Sequence, residues 1–157
     1  MLESYGKLGF CGRHYSRFKK YKDPCAQINH DQDKASKAET LIGAFFKSHG
    51  HTVIHTPRHG QGDLLVNGIV KIEVKSAEKQ KRKNGIYWCF NIHRHGVLKE
   101  LSDYYIFQFR GVPGQKGCLY AAFKSPLNVK VKAFTLRSMI RGLAPHVKLY
   151  EQLIRKP

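Results

Sequence analysis

Asp63-Leu64-Leu65-Val66-Asn67-Gly68-Ile69-Val70-Lys71-Ile72-Glu73-Val74-Lys75 decides the fold, because two apolar runs flank the hairpin-forming dipeptide Asn67-Gly68. A two-residue turn at Asn67-Gly68 would pair Val66 with Ile69 and set Leu64 opposite Lys71, mixing apolar and charged side chains on each face. A three-residue connection, Asn67-Gly68-Ile69, pairs Val66 with Val70, Leu64 with Ile72 and Asp63 with Glu73. In that register Leu64, Val66, Val70, Ile72 and Val74 share a buried face, and Asp63, Lys71, Glu73 and Lys75 share the other. Burial therefore selects the register that sets two carboxylates side by side.

Upstream, Ser36 with Glu39 three residues later makes a capping-box pattern. Ala38, Leu41, Ile42, Phe45 and Phe46 then recur at the spacing of one helical face, and Gly50 suits the stop, which predicts a helix from Lys37 to about His49. Thr52 to His55 reads as a short strand, and Arg58-His59-Gly60-Gln61-Gly62 as a turn. Downstream, Lys79 to Asn84 reads as a basic loop. Strands are predicted at Tyr87–Ile92, Tyr104–Phe109 and Cys118–Phe123, with Asp103 as a strand-start or capping residue. The C-terminus is predicted helical, capped by Thr135 and broken at Gly142 and Pro145. This order argues for an α+β domain on a mixed sheet, residues 35–157, preceded by a basic appendage, residues 1–34.

Directly opposed like charges destabilise a sheet pair, so Asp63 and Glu73 call for a cation between them. Two carboxylates suit Mg²⁺, which takes oxygen ligands and keeps part of its water shell; Mn²⁺ can replace it. Lys75 shares their face and is placed to stabilise charge developing on a scissile phosphate or to position the attacking water. This constellation predicts phosphodiester hydrolysis, with Asp63 and Glu73 as metal ligands and Lys75 as a catalytic partner.

Asp63, with Glu73-Val74-Lys75 beginning ten positions on, resembles the signature of the PD-(D/E)XK nuclease superfamily. Gly62 stands where the proline of the family name would be. The resemblance, over roughly Lys37 to Phe123, implies a restriction-endonuclease-like core: a helix followed by a hairpin-bearing sheet, with a glutamate of that helix completing the metal site. Glu39 falls at the matching place. One departure is that a basic loop, and not a second helix, follows the lysine-bearing strand. The layout is similar to small phage or intron-associated homing-type endonucleases and to Holliday junction resolvases, and the motif does not choose between them.

The chain carries 28 Lys plus Arg against 11 Asp plus Glu, a formal charge of +17 that points to a polyanionic partner. DNA is that partner by this reading. No apolar run is long enough for a membrane span, and the first five residues do not read as a secretory signal, so a cytoplasmic location is expected, the host cytoplasm for a phage-encoded protein. The four cysteines are spread along a chain of 157 residues and read as free thiols or metal ligands, not disulfides.

Gly9-Phe10-Cys11-Gly12-Arg13-His14-Tyr15 and the basic stretch after it resemble the second half of small zinc-binding modules of phage endonucleases. Cys11, His14, Cys25 and His30 could supply the four ligands of a closed zinc site. A metal-free basic arm is the preferred reading, because no cysteine precedes Cys11. Either form suits phosphate contact through Arg17, Lys19 and Lys20. Lys81, Arg82 and Lys83, just after Lys75, are expected to clamp the DNA backbone, and His93-Arg94-His95 reads as a surface or phosphate-contacting stretch. Two function classes follow: a metal-dependent DNA endonuclease, homing-type or resolvase-like and acting as a homodimer or larger assembly, or a basic nucleic-acid binder without catalysis, in which Asp63 and Glu73 merely pair with Lys71 and Lys75.

Overall fold

The computed structural model describes residues 30–56, 63–92, 102–127 and 129–157, with side chains described from Lys37 onward except at position 140. The chain divides into two compact units, Met1–Asp33 and Lys34–Pro157, and the first lies almost wholly outside the described residues. The second begins within helix α1 (His30–Ser48). It continues through strands β1 (Val53–His55), β2 (Leu64–Val66), β3 (Val70–Glu78), β4 (Gln80–Arg82), β5 (Gly85–Asn91), β6 (Tyr104–Arg110), β7 (Leu119–Lys124) and β8 (Val131–Thr135), and ends in helices α2 (Leu136–Gly142) and α3 (Ala144–Arg155). No helix among the described residues is long and apolar enough to cross a membrane.

The architecture is α+β, a mixed five-stranded sheet and a second, three-stranded sheet flanked by helices. A five-stranded sheet, ordered β1-β2-β3-β6-β7, is parallel only between β3 and β6. One face of it carries Leu64, Val66, Ile72, Val74, Ile106 and Ala122, packed against Ala38, Ile42 and Phe46 of α1 and Tyr150 and Ile154 of α3. The other carries Tyr105, Phe107, Phe109, Ala121 and Phe123, packed against Trp88, Phe90 and Phe134 of a three-stranded sheet ordered β4-β5-β8. Aromatic rings fill this second core, with Phe90 stacked on Phe107 at a centroid distance of 4.5 Å.

The central hairpin has the register that burial demanded. Leu64 pairs with Ile72, Leu65 with Lys71 and Val66 with Val70 across a turn at residues 67–69. Asn67 and Gly68 both take positive φ, 53° and 69°, values that Asn and Gly adopt at low cost. The Asn67 side chain also ties the turn down: its Oδ1 accepts from the Thr52 backbone N–H at 3.0 Å, and its Nδ2 donates to His51 Nδ1 at 2.9 Å. The buried His51 ring then donates from Nε2 to the Ile154 carbonyl of α3 at 2.7 Å. Asn67→Ala should therefore lower stability by about 1–3 kcal/mol, through a strained left-handed residue and unpaired groups around His51. Urea unfolding measures it, and an unchanged midpoint would show that the turn does not need this side chain.

The structure corrects four local expectations. Helix α1 begins at His30, so Ser36 lies inside it and is not a cap. Leu41, expected on the apolar stripe, is 41% exposed, and the buried stripe runs Ala38, Ile42, Phe46 at a strict four-residue spacing. Half of the basic stretch expected as a loop is strand, Gln80–Arg82 pairing antiparallel with Gly85–Tyr87. Strand β8 has no counterpart among the expected elements; Val131 and Ala133 are exposed and only Phe134 is buried, a pattern too weak to read as a sheet face.

Other expectations agree with the structure. Gly50 (φ 90°) ends α1, with the His51 N–H reaching the Phe46 carbonyl and the Gly50 N–H the Lys47 carbonyl, both at 3.1 Å. Thr135 caps α2 in a reciprocal box with Ser138. Asp103 fastens the start of β6: its Oδ2 accepts from the Lys71 N–H at 2.8 Å, and its own N–H donates to the Lys71 carbonyl at 2.8 Å.

Candidate active site

Strand alternation puts Glu73 and Lys75 of β3 on the face away from α1, level with Tyr105 and Phe107 of the neighbouring β6. Both are half-buried, and the Lys75 Nζ donates to Glu73 Oε1 at 2.7 Å. Asp63 sits just before β2, where its own N–H donates to the Ile72 carbonyl at 2.8 Å. Its carboxylate curls onto β3, and Oδ2 accepts from the Val74 N–H at 2.7 Å. That N–H lies on the edge of β3 where β2 has not yet begun, so the side chain stands in for a missing ladder acceptor.

The electrostatics of Asp63 are unusual for a carboxylate. Its pKa is pushed up to about 7, first by burial, then by the negative charge of Glu73 and more weakly of Glu39. The Val74 N–H and Lys75 pull it back only in part. Asp63, Glu73, Glu39 and Lys75 thus share one electrostatic neighbourhood. The half-buried Glu39 reaches it from α1, the helix that packs on the opposite face of the sheet.

A divalent ion fits this donor set. Among the described residues, Asp63 and Glu73 each have one oxygen held by a protein donor, Val74 N–H and Lys75 Nζ, which leaves the other oxygen of each carboxylate for a ligand. Among the described residues no group of three or more Asp, Glu, His or Cys side chains forms a ready cage. An ion bound mainly by two carboxylates and its own waters matches the habit of Mg²⁺ and would relieve the repulsion felt by Asp63.

No protein-family model matches the chain, and no curated protein matches it. Among solved structures it is similar to a bacterial homing endonuclease, I-Ssp6803I, at 14% identity and a TM-score of 0.49, over 70% of this chain and 76% of that one. Residue roles rest on this chain's own geometry.

The other candidates fall in two groups. Lys81 and Arg82 on β4 and Lys83 in the following turn are solvent-exposed, on a hairpin that continues from the end of β3. Arg17, Lys19, Lys20, Cys11, His14, Cys25 and the His93-Arg94-His95 stretch lie outside the described residues, as does the His30 side chain. Sequence reasoning passed over Gln80 and Tyr87. Arg82 donates from Nη2 to Gln80 Oε1 at 2.9 Å and lies 5.8 Å from the centre of the Tyr87 ring. Their shared face became visible only with the pairing of β4 and β5.

Proposed function

We propose that this protein is a metal-dependent DNA endonuclease, site-specific in the homing manner, that hydrolyses phosphodiester bonds at Asp63, Glu73 and Lys75. The observation that carries the reading is the half-buried Asp63 carboxylate, fixed by the Val74 N–H at 2.7 Å on the strand that carries the Glu73–Lys75 pair, where burial and the charge of Glu73 push its pKa up. A merely structural acid would be expected to gain a cationic partner, and Asp63 forms no ion pair among the described residues.

In this reading Asp63 and Glu73 hold Mg²⁺, or Mn²⁺ in its place, and the ion, when bound, supplies Lewis-acid polarisation of the phosphate and a more acidic water. Lys75 holds its ammonium beside Glu73, where it can donate to a phosphate oxygen as negative charge builds. The Val74 N–H fixes the Asp63 carboxylate in place. Glu39 acts from α1 through the local field. The surplus of +17 draws DNA in, and two cuts across a duplex by one small site call for a homodimer or larger assembly.

The test is incubation of the full chain with linear, supercoiled and four-way-junction DNA, with and without Mg²⁺. Cutting of linear and supercoiled duplex at discrete positions in Mg²⁺ is expected, and none in EDTA. Cutting confined to the junction would give the resolvase-like form of the same chemistry. The 2.7 Å Lys75–Glu73 pair favours one rival, a basic binder whose acids only balance lysines. That rival predicts DNA binding with no cleavage in any metal, and it accounts for Glu73 but not for Asp63.

Affinity should fall steeply with salt, since each neutralised phosphate adds about −0.9 to the slope of log K against log salt. Replacing Lys81, Arg82 and Lys83 together by alanine should flatten that slope by roughly 2. An unchanged slope would take this hairpin out of the interface.

A further inference from the structure

The three-stranded sheet is narrower than its strand count suggests. β4 pairs with Gly85 to Tyr87 on one edge of β5, whereas β8 pairs with Tyr87 to Asn91 on the other, so the two partners overlap only at Tyr87. Residues 80–86 therefore form a two-stranded ribbon running past the end of β8. From Lys79 to Ile92 the sequence holds Lys79, Lys81, Arg82 and Lys83 and no acid, and Val129 to Thr135 adds Lys130 and Lys132, again with no acid. A polyanion is the partner this ribbon fits.

Resting on the reading of the protein as a DNA endonuclease, we propose that the β4–β5 ribbon enters the DNA major groove, where Gln80 and Arg82 read base edges and set the cleavage site. A major groove about 12 Å wide admits a two-stranded ribbon. Gln80 and Arg82 project from one face, about 7 Å apart along the strand, which spans two base-pair steps of about 3.4 Å. Arg pairs bidentately with the guanine edge and Gln with the adenine edge.

The ribbon is preorganised for this. The Arg82 guanidinium is held by Gln80 Oε1 at 2.9 Å and lies beside Tyr87 at 5.8 Å, and the Tyr87 hydroxyl reaches back to the Asn84 carbonyl at 3.5 Å. Opposite Arg82 stands Gly85 (φ 132°), where an added Cβ would meet nothing within 4 Å, so that side of the ribbon is open to a base edge. Lys81 pairs with Ile86 and projects from the opposite face, a place for phosphate contact and not for base reading.

The experiment is selection of bound duplexes from a randomised pool by the full chain in Ca²⁺, followed by sequencing, for the parent, Arg82→Ala, Arg82→Lys, Gln80→Ala and Lys81→Ala. All three sites are solvent-exposed, so folding is preserved and circular dichroism checks it. Arg82→Ala and Arg82→Lys should each lose roughly tenfold to a hundredfold of preference at one position, because a lysine lacks the fork. Gln80→Ala should lose preference about two positions away. Lys81→Ala should weaken all sequences alike and flatten the salt slope by about 0.9. Unchanged preferences in the Arg82 and Gln80 variants overturn the proposal. A parent that binds and cuts DNA with no preference overturns it too but leaves the nuclease reading standing, whereas a parent that neither binds nor cuts DNA removes both.

Discussion

Lys75→Ala should lower DNA cleavage by about a hundredfold to a thousandfold while Mg²⁺ binding survives, the loss expected when one preorganised donor to a developing negative charge is removed. Lys75 is held by Glu73 at 2.7 Å, whereas Asp63 is oriented by the Val74 N–H and feels Lys75 only as the weakest of the charges acting on it. Its loss leaves the two acids in place and frees Glu73 Oε1. Asp63→Asn and Glu73→Gln should act differently: cleavage disappears because the ion is no longer held, and DNA binding stays or tightens because a charge repelling phosphate is gone. Glu39→Gln should be milder, since Glu39 works on Asp63 through the local field and ranks below burial and Glu73 there. Isothermal titration with Mg²⁺ and a plasmid-nicking assay on the four variants separate these roles. Equal loss of Mg²⁺ binding in Lys75→Ala would show that Lys75 positions ligands and does not act on the phosphate, and parent-like cutting by all four variants would place the activity elsewhere.

The hairpin was legible because one face of it must be dry. Leu64, Val66, Ile72 and Val74 are all under 5% exposed, and a slip of one residue would turn them all to the other face, so the register follows from alternation alone. The caps at Gly50 and Thr135 were legible for the same reason: each solves a local hydrogen-bond problem with a residue type suited to it. What stayed hidden depends on distant partners. The basic stretch at 79–84 reads as a loop because exposed charges show no alternation; it is a strand only because Gly85–Tyr87 pairs with it. A similar limit applies inside the sheet, where the buried Gln108 is kept by Ser76 Oγ at 2.8 Å and the Tyr120 hydroxyl at 3.0 Å, from two strands that its neighbours in sequence do not reveal. The Asp63 pKa was foreseeable in sign from the opposed carboxylates, but its largest cause, burial, is a property of the packed domain.

That raised pKa has a consequence for the metal-free protein. An aspartate side chain ordinarily titrates at 3.8; one that titrates at about 7 when folded holds its proton in the native state over a window in which the unfolded chain has already lost it. The native state then binds more protons than the unfolded one, so Asp63 costs stability as pH rises from about 4 to 7, and the full penalty is present above that window. Asp63→Asn removes the titration, keeps an oxygen to accept the Val74 N–H, and offers an amide to the neighbouring acids. The variant should be more stable than the parent at pH 8 by roughly 1–2 kcal/mol, after allowance for the solvent-facing side of a half-buried carboxyl, and the two should converge toward pH 4. Mg²⁺ added at pH 8 should raise the parent's melting temperature and leave the variant's nearly unchanged, because only the parent's native state has the ion to bind. Other carboxylates and the repulsion within a +17 chain also change stability with pH, so the quantity to read is the difference between variant and parent at each pH in urea melts. A variant less stable than the parent at pH 8 would mean that Asp63 is a satisfied structural acid, and the proposed role as a metal ligand would lose its support.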